Sequence, residues 1–544
     1  MKALTSLFIL IAGLCQSAFA QWSGNPGAPV RVCSKNSTQT GCWTFADGSG
    51  GTYVFWNDQR NGGSVTDIGL AAQHFDAAGN QLLPDSGKMV VFDPIFKTSD
   101  ISVAQDPSGN FWVAWTLTTQ TRMDSIVIQK FNKTTLNPIW PTTKTITKLN
   151  NASFNVLYTE SIRLLPVADS LLVLYHVTWM GGSTVKFLNS VSALGKVQLP
   201  FGKTFTGYNQ NYGPSTAVTN GDGTLILIQR NGNGAGTGVN AWKFGKDLSL
   251  HWGPKSITSG TPGLGYAFNV VPDGAGGFIM GYITAGNADY MATRVDSAGN
   301  FVWTPNHKPI CNHTSGQNNP DLTISQGAIY ATWSDNRPPA ANADIYSQKL
   351  NVATGDRLWN PNGRIIFRLN SYIPYPKLLA QSNGDIIITS LHNTTGFMAQ
   401  RVKPDSTLLW PGNGLMVVQG NTNAPFYADY SMQNGNNGNV LIAWSNNSKI
   451  FIAGLGDGEL LTDVSPTVSS EKAIQLYPNP NAGSFQVSGL AEGNNELVVR
   501  DVMGREIQSG TIVIRNGKGE YHHNLISGIY WIQIGSKQIR MLVN

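Results

Sequence analysis

The segment Ala331-Thr332-Trp333-Ser334-Asp335-Asn336-Arg337 contains the pattern on which the fold of this chain depends. It follows the turn dipeptide Gln326-Gly327 and precedes a second strand-like run, Asp344-Ile345-Tyr346-Ser347-Gln348. β-Branched and aromatic residues favour strands, and glycine accepts the positive φ that a tight hairpin turn demands. The segment therefore predicts antiparallel strands, one ending at Trp333 and the next beginning near Asp344.

Strand-like runs of this kind recur along most of the chain. Most of them are preceded by a Gly-containing turn, such as Asp222-Gly223 or Asn383-Gly384. Internal repetition at a fixed period is the signature of a repeat architecture. The eight runs are residues 53–56, 111–115, 171–175, 225–228, 278–282, 329–333, 386–389 and 440–444.

A second marker, usually a tryptophan followed by proline, recurs with the first. Successive markers from Leu83 are 57, 59, 53, 51, 56 and 51 residues apart. Another strand precedes each marker and a short apolar strand follows it, which gives four strands in each unit of about 55 residues. Four strands per unit are typical of a β-propeller blade. The markers are Leu83-Pro84, Trp140-Pro141, Leu199-Pro200, Trp252 with Pro254, Trp303 with Pro305, Trp359 with Pro361, and Trp410-Pro411.

The two ends of the repeat region decide the number of blades. The last unit, residues 426–461, has three strands but neither a marker nor a closing strand. Trp22, Pro26-Gly27 and residues 30–33 supply both missing parts near the N-terminus. The first strand is therefore predicted to close the ring, which would remove two exposed sheet edges. An all-β, eight-bladed β-propeller is favoured over a seven-bladed one.

Composition supports this architecture and excludes several classes of protein. Charged residues are only 13% of the chain, whereas glycine occurs 59 times, which suits many short strands. The net charge of +5 is carried by scattered Lys and Arg, so we expect no nucleic-acid partner. No segment beyond the N-terminus approaches the ~20 apolar residues of a membrane span, so no transmembrane segment is expected.

The N-terminus has the pattern of a secretory signal. Lys2 precedes an apolar run over residues 7–14, and Ala18-Phe19-Ala20 forms a small-residue cleavage site before Gln21. Residues 1–20 are therefore predicted to be a signal peptide that is cleaved near Ala20. Export to an oxidising compartment permits one disulfide among the remaining cysteines, and Cys33 with Cys42 is the favoured pair over any pair with Cys311.

The C-terminal region begins after a linker rich in Ser and Thr, residues 462–473, which separates it from the propeller at 21–461. Period-2 strands alternate with glycine turns over residues 474–544, and this predicts a small β-sandwich. Four segments follow one another in order. They are Leu476-Tyr477-Pro478-Asn479-Pro480, residues 499–507 with Gly504, residues 525–532 with Gly528, and Arg540-Met541-Leu542-Val543.

These four segments resemble the type A C-terminal sorting domain of type IX secretion substrates in the Bacteroidetes. The resemblance implies an Ig-like sandwich that the secretion machinery recognises at the outer membrane after Sec export, and that a peptidase commonly removes. It also implies a secreted protein or one held at the outer-membrane surface. The residues that would carry or support recognition are Tyr477, Pro478, Asn479, Pro480, Gly504 and Gly528. Singly, each of them could instead only shape strand entry or a turn.

The repeat units resemble a loosely defined repeat of exported bacterial proteins with a Trp-x-Asp-x-Arg turn. Residues 331–337 are the best copy and Trp56-Asn57-Asp58-Gln59-Arg60 is another. This resemblance implies the propeller fold and no particular activity. Trp56, Asp58, Arg60, Asp335 and Arg337 are the candidate binding residues. Their recurrence at equivalent points of two repeats favours a shared turn structure over a ligand site.

No common catalytic or metal-binding motif occurs in the repeat region. The sequence lacks His-Glu-x-x-His, Gly-x-Ser-x-Gly, a phosphate-binding loop and paired Cys-x-x-Cys, so we expect no metal or other cofactor and no assignable catalytic residue. The sequence predicts an exported propeller that binds a glycan or a surface protein. A carbohydrate-active hydrolase or lyase and a structural adhesion component are the alternatives. Catalysis is left open, with the balance against it.

Overall fold

A computed structural model of the chain shows two compact units, Met1–Leu460 and Leu461–Asn544. The predicted signal peptide and linker, and the Trp22 marker, lie outside the described residues, so the predicted domain boundaries stay predictions. The structure describes residues 29–456 and 475–543 except for 61–67, 93–96, 119–122, 149–155, 180–183, 205–214, 231–236, 259–263, 287, 312, 340–341, 372–373, 393–395, 411, 420–429, 436–437, 478–480, 482, 489, 491, 502–504, 527 and 535–536.

The described part of the first unit consists of β-strands arranged in four-stranded antiparallel sheets, and it contains no α-helix. In sheets 1 to 7 the strand order follows the chain, so each sheet is a simple meander. Sheets 1 to 4 comprise β2 (Gln39–Ala46), β3 (Thr52–Asp58), β4 (Gly69–Phe75) and β5 (Lys88–Val91); β6 (Lys97–Gln105), β7 (Phe111–Thr118), β8 (Met123–Phe131) and β9 (Lys144–Lys148); β10 (Val156–Val167), β11 (Ser170–Trp179), β12 (Thr184–Ser192) and β13 (Lys203–Thr204); and β14 (Ser215–Thr219), β15 (Thr224–Arg230), β16 (Val239–Gly245) and β17 (Leu250–Ser256).

The second half of the unit repeats this plan with one difference. Sheet 8 takes its fourth strand from the start of the chain. Sheets 5 to 8 comprise β18 (Leu264–Pro272), β19 (Phe278–Thr284), β20 (Tyr290–Val295) and β21 (His307–Cys311); β22 (Gln317–Ser325), β23 (Ala328–Asp335), β24 (Ala343–Asn351) and β25 (Arg364–Ser371); β26 (Lys377–Ala380), β27 (Ile386–His392), β28 (Gly396–Val402) and β29 (Leu415–Gln419); and β30 (Tyr430–Asn434), β31 (Val440–Asn446), β32 (Lys449–Leu455) and β1 (Val30–Arg31).

The predicted closure of the ring by the first strand is confirmed. β1 pairs antiparallel with β32, with Val30 opposite Ile452 and Arg31 opposite Phe451. Apolar clusters fill the spaces between successive sheets, and one of them joins Val54 and Trp56 of sheet 1 to Leu441 and Ile452 of sheet 8. The all-β propeller predicted from the sequence is therefore confirmed, and the described residues of the first unit form eight sheets in a closed circular order.

Burial changes along each sheet from the first strand to the fourth. Second strands such as β19 and β23 are buried at every residue, because both of their faces pack against neighbouring sheets. They accordingly contain continuous apolar runs, as expected for strands covered on both sides. Fourth strands are less buried: β17 is mostly exposed, and β5 and β21 are largely half-buried. The first strands of successive sheets contact one another and so surround the axis of the ring.

Four of the marker tryptophans join their own sheet to the next one. The indole Nε1–H of Trp303 donates to the carbonyl of Val352 at 3.1 Å, and Trp359 donates in the same way to Pro404 at 3.1 Å. Each acceptor lies in the connection between the third and fourth strands of the following sheet. Trp140 and Trp252 form the equivalent bonds to Ala193 and Ser297. These tryptophans therefore hold neighbouring sheets together through hydrogen bonds.

The second unit is a sandwich of two antiparallel sheets, as predicted. Phe485, Val487, Leu497 and Ile532 are among the buried side chains between them. One sheet has the order β33-β34-β37 and the other β36-β35-β38-β39. The strands are β33 (Gln475–Tyr477), β34 (Ser484–Ser488), β35 (Gly493–Arg500), β36 (Glu506–Ile514), β37 (Lys518–His522), β38 (Gly528–Ile534) and β39 (Lys537–Val543).

Tyr530 forms a tyrosine corner in this sandwich. Its hydroxyl donates to the carbonyl of Ile526, four residues earlier, at 3.0 Å. The same device fixes the entry of a strand in immunoglobulin-like sandwiches. We expect Tyr530→Phe to lower the free energy of unfolding of the second unit by about 1 kcal/mol, the typical contribution of one hydrogen bond. Denaturant titration of the full chain measures this, and an unchanged midpoint for the second unit would contradict it.

Candidate functional site

The Trp-Asp-Arg turn of sheet 1 folds around the carboxylate of Asp58. Trp56 Nε1 donates to Asp58 Oδ2 at 2.8 Å, and Arg60 Nη2 donates to the same oxygen at 2.7 Å. The backbone N–H of Arg60 and the hydroxyl of Ser37 donate to Oδ1 at 2.8 Å and 2.9 Å. Four donors therefore satisfy this carboxylate within the protein.

Sheet 6 repeats the same group around Asp335. Trp333 Nε1 and Arg337 Nη2 donate to Asp335 Oδ2 at 3.0 Å and 2.5 Å. The backbone N–H of Arg337 and the hydroxyl of Ser315 donate to Oδ1 at 3.0 Å and 2.7 Å. The sequence repeat thus specifies one local structure twice, in two sheets that are not neighbours.

In both groups the carboxylate is buried and accepts hydrogen bonds at each of its oxygens. Trp56 is fully buried, and Asp58 and Asp335 are exposed by only 1% and 0%. Burial is the largest single influence and opposes ionisation, but the hydrogen bonds from the arginine, tryptophan and serine of each group together outweigh it and hold the pKa of both carboxyls below the ordinary value. A ligand could reach these carboxylates only by displacing protein donors. The geometry therefore favours a structural role for the five candidate binding residues, and it does not bring them together in one site.

Glycines at equivalent positions close over the two buried indoles. Gly87 lies beside Trp56 with a positive φ of +67°, and a Cβ there would fall 2.5 Å from the indole ring. Gly363 has the same relation to Trp333, with φ +82° and a Cβ distance of 2.4 Å. Real Cβ atoms do not approach so closely, so only glycine fits. We expect Gly87→Ala and Gly363→Ala each to destabilise the first unit by about 1–3 kcal/mol in denaturant titrations.

The structure does not contain the predicted disulfide. Within the part of the chain that the structure describes, Cys33, Cys42 and Cys311 form no disulfide. Cys33 Sγ contacts the carbonyl of Ser86 at 3.2 Å and accepts from Arg60 Nη2 at 3.4 Å, whereas Cys42 Sγ contacts the carbonyl of Ala443 at 3.2 Å. Cys33 follows the outermost strand of sheet 8 and Cys42 lies on the innermost strand of sheet 1, so each thiol has partners of its own.

Cys33 and Cys311 also belong to the two buried groups. Their membership was not predicted from the sequence. Arg337 Nη2 donates to Cys311 Sγ at 3.4 Å, as Arg60 does to Cys33. Each cysteine belongs to the sheet before the one that supplies the arginine, so both contacts join neighbouring sheets. The signal was available, because each cysteine precedes its arginine by nearly the same distance, 27 and 26 residues.

A second set of polar contacts links the innermost strands around the axis. Its centre is Asp321 on β22, whose carboxylate accepts from the amide of Asn269 on sheet 5 and from the backbone N–H of Leu378 on sheet 7, the latter at 2.8 Å. Asp321 thereby ties three successive sheets. The similar contacts are Arg163 Nη1 to Thr216 Oγ1 at 2.7 Å, Lys377 Nζ to the carbonyl of Tyr430 at 3.0 Å, and Thr44 Oγ1 with Ser431 Oγ at 2.8 Å.

Burial raises the pKa of Asp321 to about 6, although the N–H donors of Leu378 and Leu322 and the charge of Lys377 oppose the rise. The folded protein then binds the proton more tightly than the unfolded chain does. The contribution of Asp321 to stability is therefore full below its ordinary pKa of 3.8 and is lost as the pH rises through about 6.

We expect this titration to appear in the pH dependence of unfolding. Between about pH 4 and pH 7 the free energy of unfolding should fall by up to about 3 kcal/mol from this group, since one pKa unit is worth about 1.36 kcal/mol. Asp321→Asn cannot titrate, so its slope over this range should be flatter. Urea titrations at several pH values measure both slopes, and parallel slopes would contradict the assignment.

The described residues show no group of three His, Cys, Asp or Glu side chains placed to hold a metal ion. Within the same residues, no helix has the length and apolar character required to cross a membrane.

The predicted sorting residues of the second unit are only partly described. Pro478, Asn479, Pro480 and Gly504 lie outside the described residues. Tyr477 is on the edge strand β33 with 76% of its surface exposed. Gly528 begins β38, and a Cβ there would lie 3.3 Å from the ring of Tyr530. Tyr477 is thus available for contact with a partner, whereas Gly528 supports the tyrosine corner.

The chain is similar at a low level to several solved structures. These include the polysaccharide lyase Uly1 (10% identity, TM-score 0.39, covering 69% of this chain and 94% of that one). An α-L-arabinanase of Penicillium chrysogenum matches with 13% identity and a TM-score of 0.34, covering 66% and 94%. An acylaminoacyl peptidase of Pyrococcus horikoshii matches with 11% identity and a TM-score of 0.37, covering 75% and 57%. Likeness at this level says nothing about activity.

The comparison of sequences identifies the second unit. No curated protein matches the chain. Residues 475–543 match the secretion system C-terminal sorting domain, and this range contains both sheets of the sandwich. The resemblance found in the four sequence segments is therefore confirmed. Residues 475–543 are a type IX C-terminal sorting domain, and the chain that carries them is a secreted or cell-surface protein.

Proposed function

We propose that the chain is an exported β-propeller that binds a polysaccharide or protein ligand through one edge of its ring, here named the loop edge. The loop edge consists of the connections between second and third strands and the connections from one sheet to the next. Because the strands of each sheet alternate in direction, these two kinds of connection emerge at the same edge. The turns between first and second strands lie at the opposite edge.

The observation that carries the proposal is the uneven length of the connections between second and third strands at the loop edge. Connections between second and third strands range from two residues, between β31 and β32, to ten, between β3 and β4. Turns between first and second strands have only two to five residues. Loops that differ on a rigid frame are where binding residues concentrate. The residues conserved between the two Trp-Asp-Arg turns support the frame, which leaves the variable loops for recognition.

A glycan array and a protein array, each probed with the purified full chain, test the proposal. We expect saturable binding to at least one class of ligand without product formation. Asn336→Ala, which alters an exposed residue of the loop edge, should weaken that binding severalfold. The matched control is Asn300→Ala at an exposed turn between third and fourth strands, which should leave binding unchanged. Equal losses in both variants, or no ligand on either array, would contradict the proposal.

A carbohydrate-active hydrolase or lyase is the second candidate, and Asp321 is the observation that favours it. A carboxyl with a pKa of about 6 on an innermost strand has the acidity that a general acid needs near neutral pH. Its two oxygens already accept hydrogen bonds from Asn269, Leu322 and Leu378, which favours a structural role. An enzyme would release products from a glycan panel and lose that activity in Asp321→Asn, whereas a binding protein would release none.

A further inference from the structure

The outermost strands of the eight sheets contain basic residues and no acidic ones. Together they carry nine Lys and Arg and no Asp or Glu. These strands, named here the outer wall, are β1, β5, β9, β13, β17, β21, β25 and β29. Their basic residues are Arg31, Lys88, Lys144, Lys148, Lys203, Lys255, Lys308, Arg364 and Arg368.

The same bias is absent from the rest of the ring. The other 24 strands of the first unit carry 11 Lys and Arg and seven Asp and Glu, a net charge of +4. The outer wall alone carries +9, while the whole chain has a net charge of only +5. Among the strands of the ring, positive charge is therefore concentrated on the outermost ones, in seven of the eight sheets.

Little of this charge is neutralised locally. Among the described residues, Lys308 is the one member of the outer wall in an ion pair, with Asp356 at 3.0 Å. Lys203 and Lys255 donate to the backbone carbonyls of Leu248 and Ala298, which leaves their charge in place. The most exposed members are Arg31, Lys148, Arg364 and Arg368.

Protection of sheet edges explains the presence of charge but not its uniform sign. An exposed edge strand invites pairing with another chain, and charged side chains prevent it. Glutamate or aspartate would repel a second copy equally well if they occupied the same positions. Nine positions of one sign, spread over seven of the eight outermost strands, point to a function that depends on the sign.

We propose that the outer wall binds an acidic polysaccharide. Summed positive charge around a closed ring creates an attractive field for a polyanion. A flexible, extended polymer can follow a curved wall and contact several sheets at once, whereas a flat membrane would meet only one side of it. The chain is exported, so it encounters polysaccharides outside the cell. This surface is separate from the loop edge, and either can fail without the other.

Binding of the full chain to polygalacturonate, with neutral dextran as the comparison polymer, tests the proposal. We expect binding to polygalacturonate alone. Raising the ionic strength from about 0.1 M to about 1 M should abolish it, because the screening length falls from about 10 Å to about 3 Å. The triple variant K148E/R364E/R368E should bind at least about tenfold more weakly, since it reverses three exposed charges.

The matched control is K133E/K196E/K403E, which changes the net charge equally at three exposed lysines outside the outer wall. It should retain most of the binding. Glutamate still protects the sheet edges, so light scattering and thermal unfolding should show both variants folded and monodisperse. Equal losses in the two variants would show attraction by net charge alone and overturn the proposal. Failure of the unaltered chain to bind polygalacturonate would overturn it as well, while leaving binding at the loop edge to be judged on its own array.

Discussion

Asp58→Ala is expected to lower the free energy of unfolding of the first unit by about 3–5 kcal/mol, because it leaves the buried cation of Arg60 without its partner. The indole of Trp56 and the hydroxyl of Ser37 also lose their acceptor. The group lies where the first strand meets sheet 1, and Arg60 also contacts Cys33 just beyond β1. The substitution should therefore loosen the closure of the ring as well as weaken one turn.

Asp335→Ala provides a control that separates these two effects. It removes the same four hydrogen bonds in sheet 6, far along the chain from either end of the ring. Denaturant titration should show a similar loss of stability in both variants. Limited proteolysis under native conditions should cut near residues 29–35 in Asp58→Ala and not in Asp335→Ala. A stability within about 0.5 kcal/mol of the unaltered protein, the range of neutral surface substitutions, would contradict the proposed role of Asp58.

Removal of residues 475–544 is expected to abolish delivery of the propeller to the cell surface or medium. The sorting domain is the part of the chain that the type IX route handles, and the propeller has its own closed core. The truncated chain should therefore fold and accumulate inside the outer membrane. Cell fractionation followed by immunoblotting measures the distribution.

A point variant distinguishes recognition from folding of the sorting domain. Tyr477→Ser changes an exposed side chain on β33, whereas Val487→Ala changes a buried one on the neighbouring β34. Tyr477→Ser should reduce export while the purified protein keeps its unfolding midpoint. Val487→Ala should lower the midpoint of the second unit. Unchanged export of the truncated chain would contradict the assigned sorting role.

The repeat and the ring closure could be predicted because they depend on local pattern and on a count of strands. The unit ending near Leu461 lacks a fourth strand, and residues 30–33 are the part of the N-terminus that can supply it. The pairing of the first strand with the last sheet follows from that shortage, whereas its register, with Val30 opposite Ile452, is seen only in the structure. The sorting domain was similarly visible, since its four segments occur in a fixed order.

Contacts between sheets could not be predicted from the sequence in the same way. Cys33 and Cys42 are close in sequence, yet one belongs to the outside of sheet 8 and the other to the inside of sheet 1. Asp321 meets Asn269 and Leu378, which are 52 and 57 residues away, through the stacking of three sheets. Such partners depend on the relative rotation of neighbouring sheets, which strand periodicity does not specify.

The pairing of Arg31 with Phe451 has a consequence for biogenesis. These residues are 420 positions apart in the chain. Sheet 8 therefore cannot form until almost the whole first unit has been synthesised and translocated. Contacts of such high sequence separation form slowly. Until the ring closes, the partly folded chain exposes unpaired strand edges. We therefore expect newly made chains to need protection by periplasmic chaperones, and circular permutants with new termini between two sheets to fold faster than the natural order.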